Sequence, residues 1–440
     1  MTVYLDDGDF RLYHGDALET LKTLPDESVH MCVTSPPFYG LRDYGTGTWE
    51  GGEAQCDHLG EPFRTKAKLN ENWGEGYADV KNAEDRQPFK AVCGKCGARR
   101  VDQQIGLEET PDQWVAKLVD VFREVRRVLR SDGTCWVEVG DSYAGSWTAQ
   151  SHVPGSRPDV ISATSIAAGP QKTRTGSIPA GAPYKPKDLI GAPWLLAFAL
   201  RADGWWLRSD VVWSRPNPMP ESVTDRPTKS HSYLFLLSKG ARYFFDQEAV
   251  REPAEYGRSV WNGDQWSSSK GVRGGYSVEP GNGSGGRNVR SVWEIATQPY
   301  PEAHFATYPE ELVRRCILAG TSERGCCPEC GAPWQRQVEV SHTEAGRGNN
   351  NMARKGQNPD AFTGRPYETR MLKATSTLGW HPSCGHGLDP VPCTVLDPFG
   401  GSGTTALVAR KHGRRSVLVE LSETYCELAA RRLSQLSLLA

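Results

Sequence analysis

The chain has 440 residues, 38% of them apolar and 24% charged, which suits two to four domains, or one domain with large insertions, around a sizeable core. Its formal net charge of −2 neither favours nor excludes nucleic acid, because phosphate binding needs only a local basic patch. No apolar run approaches the ~20 residues that span a bilayer. The acidic start MTVYLDDGDF lacks the basic segment of a signal peptide, so we expect no membrane and a cytoplasmic location.

The first predicted elements are a strand ending near His14, a short helix, and a second strand ending near Thr34. The second strand runs directly into the sequence TSPPFYG. Pro36 and Pro37 each remove a backbone donor, so the strand cannot continue through them. The chain must stop its ladder of hydrogen bonds there and present something else.

The next element is a helix in the sequence TPDQWVAKLVDVFREVRRVLRSDG. Thr110 is the predicted N-cap and Pro111 lies in the first turn. A strand, GTCWVEVGDSY, follows, and then another apolar helix, DLIGAPWLLAFALRADG. Two further strands, WWLRSDVVWSRP and SYLFLLSKGARYFFD, are close enough in the chain to pair antiparallel. This alternation of helices and strands predicts an α/β protein with a parallel sheet.

Cysteines are spaced as metal ligands. Two Cys-x-x-Cys-Gly motifs, CGKCG and CPECG, are each accompanied by a Cys-x-His motif, CDH or CGH. Local pairing gives two sets, Cys56, His58, Cys93 and Cys96, and Cys327, Cys330, Cys384 and His386. Zinc favours four Cys/His ligands, and four protein ligands leave no position for a catalytic water, so we expect two structural Zn²⁺ ions. Reduced cysteines without metal are the alternative, and Cys326 could replace Cys327.

The C-terminal part of the chain has the order strand, glycine turn, helix, strand, helix. The sequence VLDPFGGSGTT is not a Walker A motif, because no Lys-Ser/Thr follows the glycines. Small residues after a strand let a ligand approach the backbone. Glu420 ends the next strand, where an acid can accept hydrogen bonds from a ribose diol. The pair predicts an adenosine-containing ligand, with a plain strand-to-helix turn as the alternative.

TSPPF early in the chain and DPFGGSGTT late resemble the paired signatures of S-adenosylmethionine-dependent DNA amino-methyltransferases. The order of the motifs resembles the β group of that family. The resemblance implies a circularly permuted, Rossmann-like methyltransferase sheet with helices on both faces, plus two small Cys/His zinc-binding insertions and a target-recognition region. The predicted catalytic domain is 1–45, 105–245, 292–325 and 388–440; the insertions are 46–104 and 326–387, and the recognition region is 246–291.

The resemblance also implies roles for individual residues. The active-site loop would be Ser35, Pro36, Pro37 and Phe38. The methionine end of the cofactor would be lined by Asp397, Phe399, Gly400, Gly401, Gly403 and Thr404. Glu420 would bind the ribose, and Asp16 would contact the adenine edge.

An exocyclic amine inside a duplex is out of reach, so the base must be flipped out. The Ser35 hydroxyl and the Pro36 carbonyl could accept the amine protons while Phe38 stacks on the base. A serine at the first position of this motif favours cytosine N4, with adenine N6 as the alternative. Methylation of cytosine C5 is disfavoured, because it needs a cysteine thiolate as nucleophile. Apart from the metal-like pairs, the one Pro-Cys sequence is Pro392-Cys393, which lies directly before the predicted cofactor strand, so we expect Cys393 to be a core residue.

Double-stranded DNA is the expected partner. The predicted DNA-binding residues of the recognition region are Arg251, Arg258, Lys270, Arg273, Arg287 and Arg290, with Trp261, Trp266 and Tyr276 beside them. A solvated loop is the alternative for this region. A homodimer is left open, and a cognate restriction enzyme is not required. Two other classes stay open: a catalytically silent, zinc-stabilised DNA-binding protein, and an enzyme that methylates RNA or protein.

Overall fold

The computed structural model describes residues 2–40, 46–59, 92–102, 104–144, 184–218, 220–252, 259–261, 276–278, 287–298, 308–344 and 371–437. Three of the predicted DNA-binding residues, Arg258, Lys270 and Arg273, and the neighbouring Trp266 lie outside these ranges. Among the residues that are described, no helix is both long and apolar enough to cross a membrane.

The helices are α1 (Ala17–Leu21), α2 (Pro111–Val128), α3 (Ala192–Ala202), α4 (Glu310–Gly320), α5 (Thr404–Lys411) and α6 (Glu423–Ser437). The first eight strands are β1 (Thr2–Asp6), β2 (Phe10–His14), β3 (Val29–Thr34), β4 (Thr48–Glu50), β5 (Arg99–Val101), β6 (Leu129–Val139), β7 (Trp206–Ser214) and β8 (His231–Ser238). The others are β9 (Ser259–Trp261), β10 (Tyr276–Val278), β11 (Val292–Glu294), β12 (Gln335–Glu344), β13 (Met371–His381), β14 (Thr394–Asp397) and β15 (Arg415–Glu420).

The chain divides into two compact units. The first comprises Met1–Tyr243, Val292–Arg314 and Thr394–Ala440, and the second comprises Phe244–Ser291 and Arg315–Cys393. Residues 46–104 therefore belong to the first unit, and 246–291 share the second unit with 326–387. The sequence suggested separate regions instead.

Side chains far apart in the sequence hold the second unit together. The Arg336 guanidinium, on β12, binds both oxygens of Asp246 at 2.9–3.1 Å. The Thr375 hydroxyl, on β13, donates to Glu248 at 2.7 Å. The antiparallel β12–β13 pair itself was not expected from the sequence.

A nine-stranded sheet forms the centre of the first unit, in the order β1-β2-β15-β14-β3-β6-β8-β7-β11. Its middle strands, β2, β15, β14, β3 and β6, are parallel. Strands β7 and β8 pair antiparallel, as predicted. The last part of the chain supplies β14, which lies between β15 and β3. The carboxyl end of β14 is therefore beside the carboxyl end of β3.

Helices cover both faces of this sheet. Alternate residues of a strand point to opposite faces. Val419 of β15 packs in a cluster with side chains of α1, α2 and α3, whereas Leu418 packs in another with side chains of α5 and α6. The predicted α/β sheet with helices on both faces is thus confirmed.

The long helix α2 begins where the sequence indicated. The Thr110 side chain accepts a hydrogen bond from the Gln113 amide at 3.3 Å, and Pro111 occupies the first turn. Trp114, Leu118 and Phe122 are fully buried along one stripe of the helix. This stripe fixes α2 against the sheet, directly behind the loop that follows β3.

Candidate active site

The catalytic-loop candidate, Ser35–Phe38, begins where β3 ends. The preceding Thr34 is fully buried, and its hydroxyl donates to Asp397 Oδ1 at 2.7 Å. Asp397 is the last residue of β14. This one hydrogen bond joins the two motifs, which lie more than 350 residues apart in the sequence.

The loop is held from two sides. The Trp114 indole donates to the Pro37 carbonyl at 2.9 Å. The Phe38 ring packs against Gly140, where an added Cβ would lie 2.7 Å from the ring. Two prolines, a buried donor and a glycine contact therefore fix the backbone carbonyls and the aromatic ring of this loop.

Ser35 has a partner that sequence reasoning missed. Its hydroxyl donates to Glu138 Oε2 at 2.7 Å, and Glu138 is 4% exposed. Because the serine proton is directed at Glu138, the lone pairs of Ser35 Oγ are left to accept a proton from a ligand. An acid inside the apolar strand TCWVEVG was the available signal, since carboxylates are rarely buried without a function or a partner.

The Asp397 carboxylate is enclosed by protein groups that hydrogen-bond to it. The carboxylate is fully buried and accepts from four groups at 2.6–3.1 Å: Thr34 Oγ1, Phe399 N, Tyr308 Oη and Thr405 Oγ1. A carboxylate has about four acceptor positions, so these protein donors occupy it. Asp397 ties the glycine turn after β14 to β3, and its contact with the cofactor stays a prediction. Tyr308, which lies just before α4, had no sequence signal that marked it.

The three glycines of the turn between β14 and α5 serve two purposes. A Cβ on Gly400 would lie 3.1 Å from Leu418, and one on Gly403 would lie 3.1 Å from Ala429. Gly401 has a φ of +49°, and among the described residues only the Phe399 carbonyl is near its missing Cβ, at 4.0 Å. Gly400 and Gly403 thus permit close packing, while Gly401 leaves room for a ligand to approach the backbone.

Glu420 lies at the carboxyl end of β15 and faces this turn. One carboxylate oxygen accepts from the Gly401 amide and the other from the Ser422 amide, both at 2.8 Å. Two acceptor positions remain for a ligand such as a diol. Burial raises the pKa of the Glu420 carboxyl to about 7.

Asp16 is near Glu420 along the same edge of the sheet, because the Gly15 amide donates to the Glu420 carbonyl at 2.9 Å. Its carboxylate caps α1 by accepting from the Glu19 amide at 3.0 Å. The Thr404 hydroxyl is buried and accepts from Arg432 at 2.9 Å, so it faces the protein interior. Phe399 is partly buried beside the turn.

The first Cys/His set comes together in the first unit. Cys56, His58, Cys93 and Cys96 have ligand atoms within 4.8 Å of one another. The pair β4–β5 lies beside them, and Trp49 stacks on the His58 ring at 4.5 Å. A backbone hydrogen bond at Glu53 lowers the pKa of the Cys96 thiol to about 6.

The second set comes together in the second unit with the same backbone turn. Cys327, Cys330, Cys384 and His386 also lie within 4.8 Å of one another. In CPECG the Gly331 amide donates to the Cys327 carbonyl at 2.8 Å, and in CGKCG Gly97 donates to Cys93 at 2.9 Å. Both glycines have positive φ, +67° and +74°, which explains the glycine after each Cys-x-x-Cys. Cys326, the alternative ligand, instead donates its thiol proton to the Val391 carbonyl.

The described arginines of the predicted recognition region are paired with acids. Arg251 binds Glu248 at 2.8 Å, and Arg287 and Arg290 both bind Glu252 at 3.0 Å. Strands β9 and β10 pair antiparallel within this region. These ion pairs stabilise the second unit, so contact between these arginines and DNA stays a prediction.

The first unit is thus an α/β domain in which a glycine-rich turn of the kind that binds nucleotides follows the central strand β14. A rigid loop of hydrogen-bond acceptors follows the neighbouring strand, β3. The class that this fold and site define is that of amino-methyltransferases. A family model described as DNA methylase, for N6 and N4 methyltransferases, matches residues 29–327 and 393–431, and the chain belongs to this family. The resemblance to S-adenosylmethionine-dependent DNA amino-methyltransferases is thus confirmed.

Two relatives of similar sequence agree with this assignment. The type II methyltransferase M.Cfr9I of Citrobacter freundii is 33% identical over 422 residues, covering 96% of this chain and 87% of the relative. M.SmaI of Serratia marcescens is 31% identical over 419 residues, covering 95% and 89%. Among solved structures, PvuII DNA methyltransferase (cytosine-N4-specific) matches with 14% identity and a TM-score of 0.47, covering 98% of this chain and 88% of that one.

Proposed function

We propose that this DNA methyltransferase modifies a specific duplex site by methylating the N4 amine of a flipped-out cytosine. The observation that carries the proposal is the Ser35–Glu138 hydrogen bond beside the cofactor turn. Serine at the first position of the motif supports cytosine N4 over adenine N6, because related enzymes more usually have aspartate there for adenine. Relatives named type II methyltransferases support a role in restriction-modification.

The residues around the glycine turn fit S-adenosylmethionine. The open face of Gly401 and the two remaining acceptor positions of Glu420 suit a ribose, and Asp16 is near enough along the sheet edge to meet an adenine. When bound, S-adenosylmethionine would supply an electrophilic methyl group on a sulfonium, whose sulfur would leave as a neutral thioether with the electron pair of the broken C–S bond. Asp397 and Thr404 contribute by holding the turn in place.

Ser35 and Glu138 support a path for the amine proton. As the amine nitrogen forms its new bond to carbon, it becomes more acidic and must lose one proton. Ser35 Oγ accepts that proton and passes its own to Glu138, so the carboxylate ends protonated and the serine is unchanged. The Pro36 carbonyl accepts the second amine hydrogen, and the Phe38 ring stacks on the base.

Two structural zinc ions are part of the proposal. A tetrahedral zinc with bonds of about 2.3 Å to sulfur and 2.0 Å to nitrogen sets S···S at roughly 3.8 Å and S···N at roughly 3.5 Å. The Cys56 and Cys93 sulfurs are 3.7 Å apart, and Cys96 Sγ is 3.5 Å from His58 Nδ1. Cys327 Sγ is likewise 3.5 Å from His386 Nδ1. These separations support zinc with four protein ligands at each site.

Nucleoside analysis tests the proposed function directly. The protein is expressed in a host that lacks other DNA methyltransferases, and the DNA is digested and examined by mass spectrometry. N4-methylcytosine is expected. N6-methyladenine in its place would overturn the choice of base, and unmodified DNA would favour a silent DNA-binding protein.

Variants separate chemistry from cofactor binding. Glu138→Gln and Phe38→Ala should each lower methyl transfer by at least a hundredfold and leave the affinity for S-adenosylmethionine in calorimetry nearly unchanged. Gly401→Asp should abolish that affinity, because of its positive φ and an added negative charge beside Glu420. Ser28→Ala, a change to a partly exposed serine at the opposite end of β3, is the matched control. Full activity of Glu138→Gln would exclude the proton path.

A further inference from the structure

The connection between β7 and β8 carries a cluster of cations, which we call the 215–229 cluster: Arg215, Arg226 and Lys229. The Arg215 backbone is tied to Ser230 at 2.8 Å, which brings the two ends of the connection together. The Arg215 guanidinium lies over the Trp213 ring at 5.2 Å, and that of Arg226 lies over the Tyr143 ring at 3.8 Å. Packing on aromatic rings gives both arginines defined positions.

Lys229 is poorly paired for a largely buried ammonium. Its side chain is 15% exposed, and in the part of the chain that the structure describes its ammonium has one ion-pair partner, Asp141, at 3.8 Å. The Asp141 carboxylate is already engaged by the amides of Ser142, Gly191 and Ala192 at 2.9–3.1 Å. It therefore caps the start of α3 and is a distant partner for a buried ammonium with three protons to donate.

The surroundings of Lys229 do not balance its charge. Arg226 is paired with Glu221 at 2.7 Å, whereas Arg215 has no ion pair among the described residues. Burial lowers the pKa of Lys229, Asp141 and Glu221 oppose this, and Arg215 and Arg226 lower it further. Burial and the nearby cations Lys229 and Arg215 lower the pKa of His231 as well. A partly buried, positive site of this kind is suited to an external anion.

The 215–229 cluster also lies at the edge of the sheet where the reaction takes place. Residues that follow β6 extend from this edge: Gly140 touches the Phe38 ring, and the next residue, Asp141, faces Lys229. In the sheet, β8 is directly beside β6, which is directly beside β3. A base that leaves the duplex rotates about its backbone, so the phosphates on either side of it stay near the mouth of the catalytic pocket.

We propose that Lys229 and Arg215 bind a backbone phosphate next to the target nucleotide. The proposal rests on the proposed function, since it presumes a base flipped into the loop at Phe38. Two cations at the same edge of the sheet as the stacking ring would anchor the strand while the base is extruded. Such a contact carries no sequence information but sets the position of the strand.

Replacement of Lys229 by methionine, which keeps the apolar stem, tests the assignment. DNA affinity is measured by fluorescence anisotropy over a range of salt concentrations. Lys229→Met should weaken binding to all duplexes alike and reduce the slope of log affinity against log salt by about one. Lys229→Arg should restore the slope. Thermal stability should stay equal or rise, because a partly buried charge without a close partner is removed.

Lys239 provides the matched control at the other end of β8. It follows the opposite end of β8, is 23% exposed, and is fully paired with Glu27 at 3.1 Å and the Leu129 carbonyl at 2.8 Å. Lys239→Met should lower thermal stability and leave the salt slope unchanged. A Lys229→Met protein that melts earlier and keeps the wild-type slope would show a purely structural lysine and overturn the proposal.

A modified substrate locates the phosphate. Once the methylated site is known, a methylphosphonate is placed at each phosphate that flanks the target base. Neutralising the phosphate that Lys229 contacts should weaken DNA binding by the wild-type enzyme and have little further effect on DNA binding by Lys229→Met. If each methylphosphonate lowered the DNA affinity of the wild-type enzyme and of Lys229→Met by the same factor, the assignment would be overturned. DNA affinity is measured separately from methyl transfer. A protein that makes no methylated base would refute the proposed function in the nucleoside analysis, whereas an unchanged salt slope would refute only the phosphate contact.

Discussion

At the scale of single residues, hydrogen bonds decide what each carboxylate of the site can do. Asp397 and Glu420 end neighbouring strands and both are acids, yet their environments differ. Four protein donors occupy Asp397, whereas Glu420 accepts from two amides and keeps two positions for a ligand. Glu138 is a third case, because it accepts a hydrogen bond from Ser35. These environments support the roles that we propose for the three acids: support for Asp397, cofactor binding for Glu420 and proton transfer for Glu138.

The raised pKa of Glu420, about 7, makes cofactor binding depend on pH. Only the ionised carboxylate can use all its acceptor positions for the amides and the ribose hydroxyls. Affinity for S-adenosylmethionine should therefore rise as the pH goes from about 6 to about 8, by roughly tenfold. Calorimetry at several pH values measures this, and Glu420→Gln should flatten the profile. A flat profile in the wild-type protein would contradict the proposed role of Glu420.

The Glu420 carboxyl gives the folding stability of the cofactor-free protein the opposite pH dependence. Its pKa is higher in the folded state than the ordinary value of 4.5, so the folded state binds the proton more tightly than the unfolded state does. The stabilising contribution is present below about pH 4.5 and is lost as the pH rises through about 7. Cofactor binding should offset this loss above pH 7.

At the scale of elements, α2 links the core to the chemistry. Its stripe of buried side chains fixes the helix against the sheet, and Trp114 on that stripe donates to the Pro37 carbonyl at 2.9 Å. The tryptophan therefore belongs to the core and also holds the active-site loop. The sequence indicated the first role through helical spacing. The second depends on which loop packs above the helix.

Trp114→Phe separates these two roles. The ring still fills the core, but the Pro37 carbonyl loses its donor, so the free energy of unfolding should fall by about 1–3 kcal/mol. The rate of methyl transfer should fall by about tenfold while affinity for S-adenosylmethionine is kept. Thr110→Ala, which removes only the N-cap of the same helix, should lower stability by about 1 kcal/mol without slowing methyl transfer. Equal rates in both variants would show that the tryptophan does not position the loop.

At the scale of the whole molecule, each compact unit contains one Cys/His set. Both sets use the same glycine-terminated turn, although their ligands appear in opposite order along the chain. The loops between ligands are long, so a metal ion would close each of them and restrict the unfolded chain. We infer that the ions stabilise their own units and take no part in methyl transfer.

Metal analysis tests this division. Purified protein should contain two zinc ions per chain by mass spectrometry. Cys93→Ala should remove one ion and destabilise the first unit, and Cys330→Ala should remove the other and destabilise the second. Cys135→Ala, at a buried cysteine outside both sets, should keep both ions. Wild-type protein that is folded and free of metal would contradict the zinc proposal.

The sequence by itself determined the α/β class, the cap of α2, both Cys/His sets and the two motif loops, because each is encoded by residues close together in the chain. Periodicity, capping and the glycine after each Cys-x-x-Cys are local properties of the backbone. The choice of Cys327 over Cys326 also follows the local Cys-Pro-x-Cys-Gly turn.

Only the tertiary structure decided how these parts meet. The insertion of β14 between β15 and β3 brings Asp397 to Thr34, and the pairing of β3 with β6 brings Glu138 to Ser35. The roles of Asp397, Trp114, Tyr308 and Lys229 likewise depend on partners far away in the chain. Hydrogen bonds act over about 3 Å, so they are set by strand order and register, which a single sequence does not reveal.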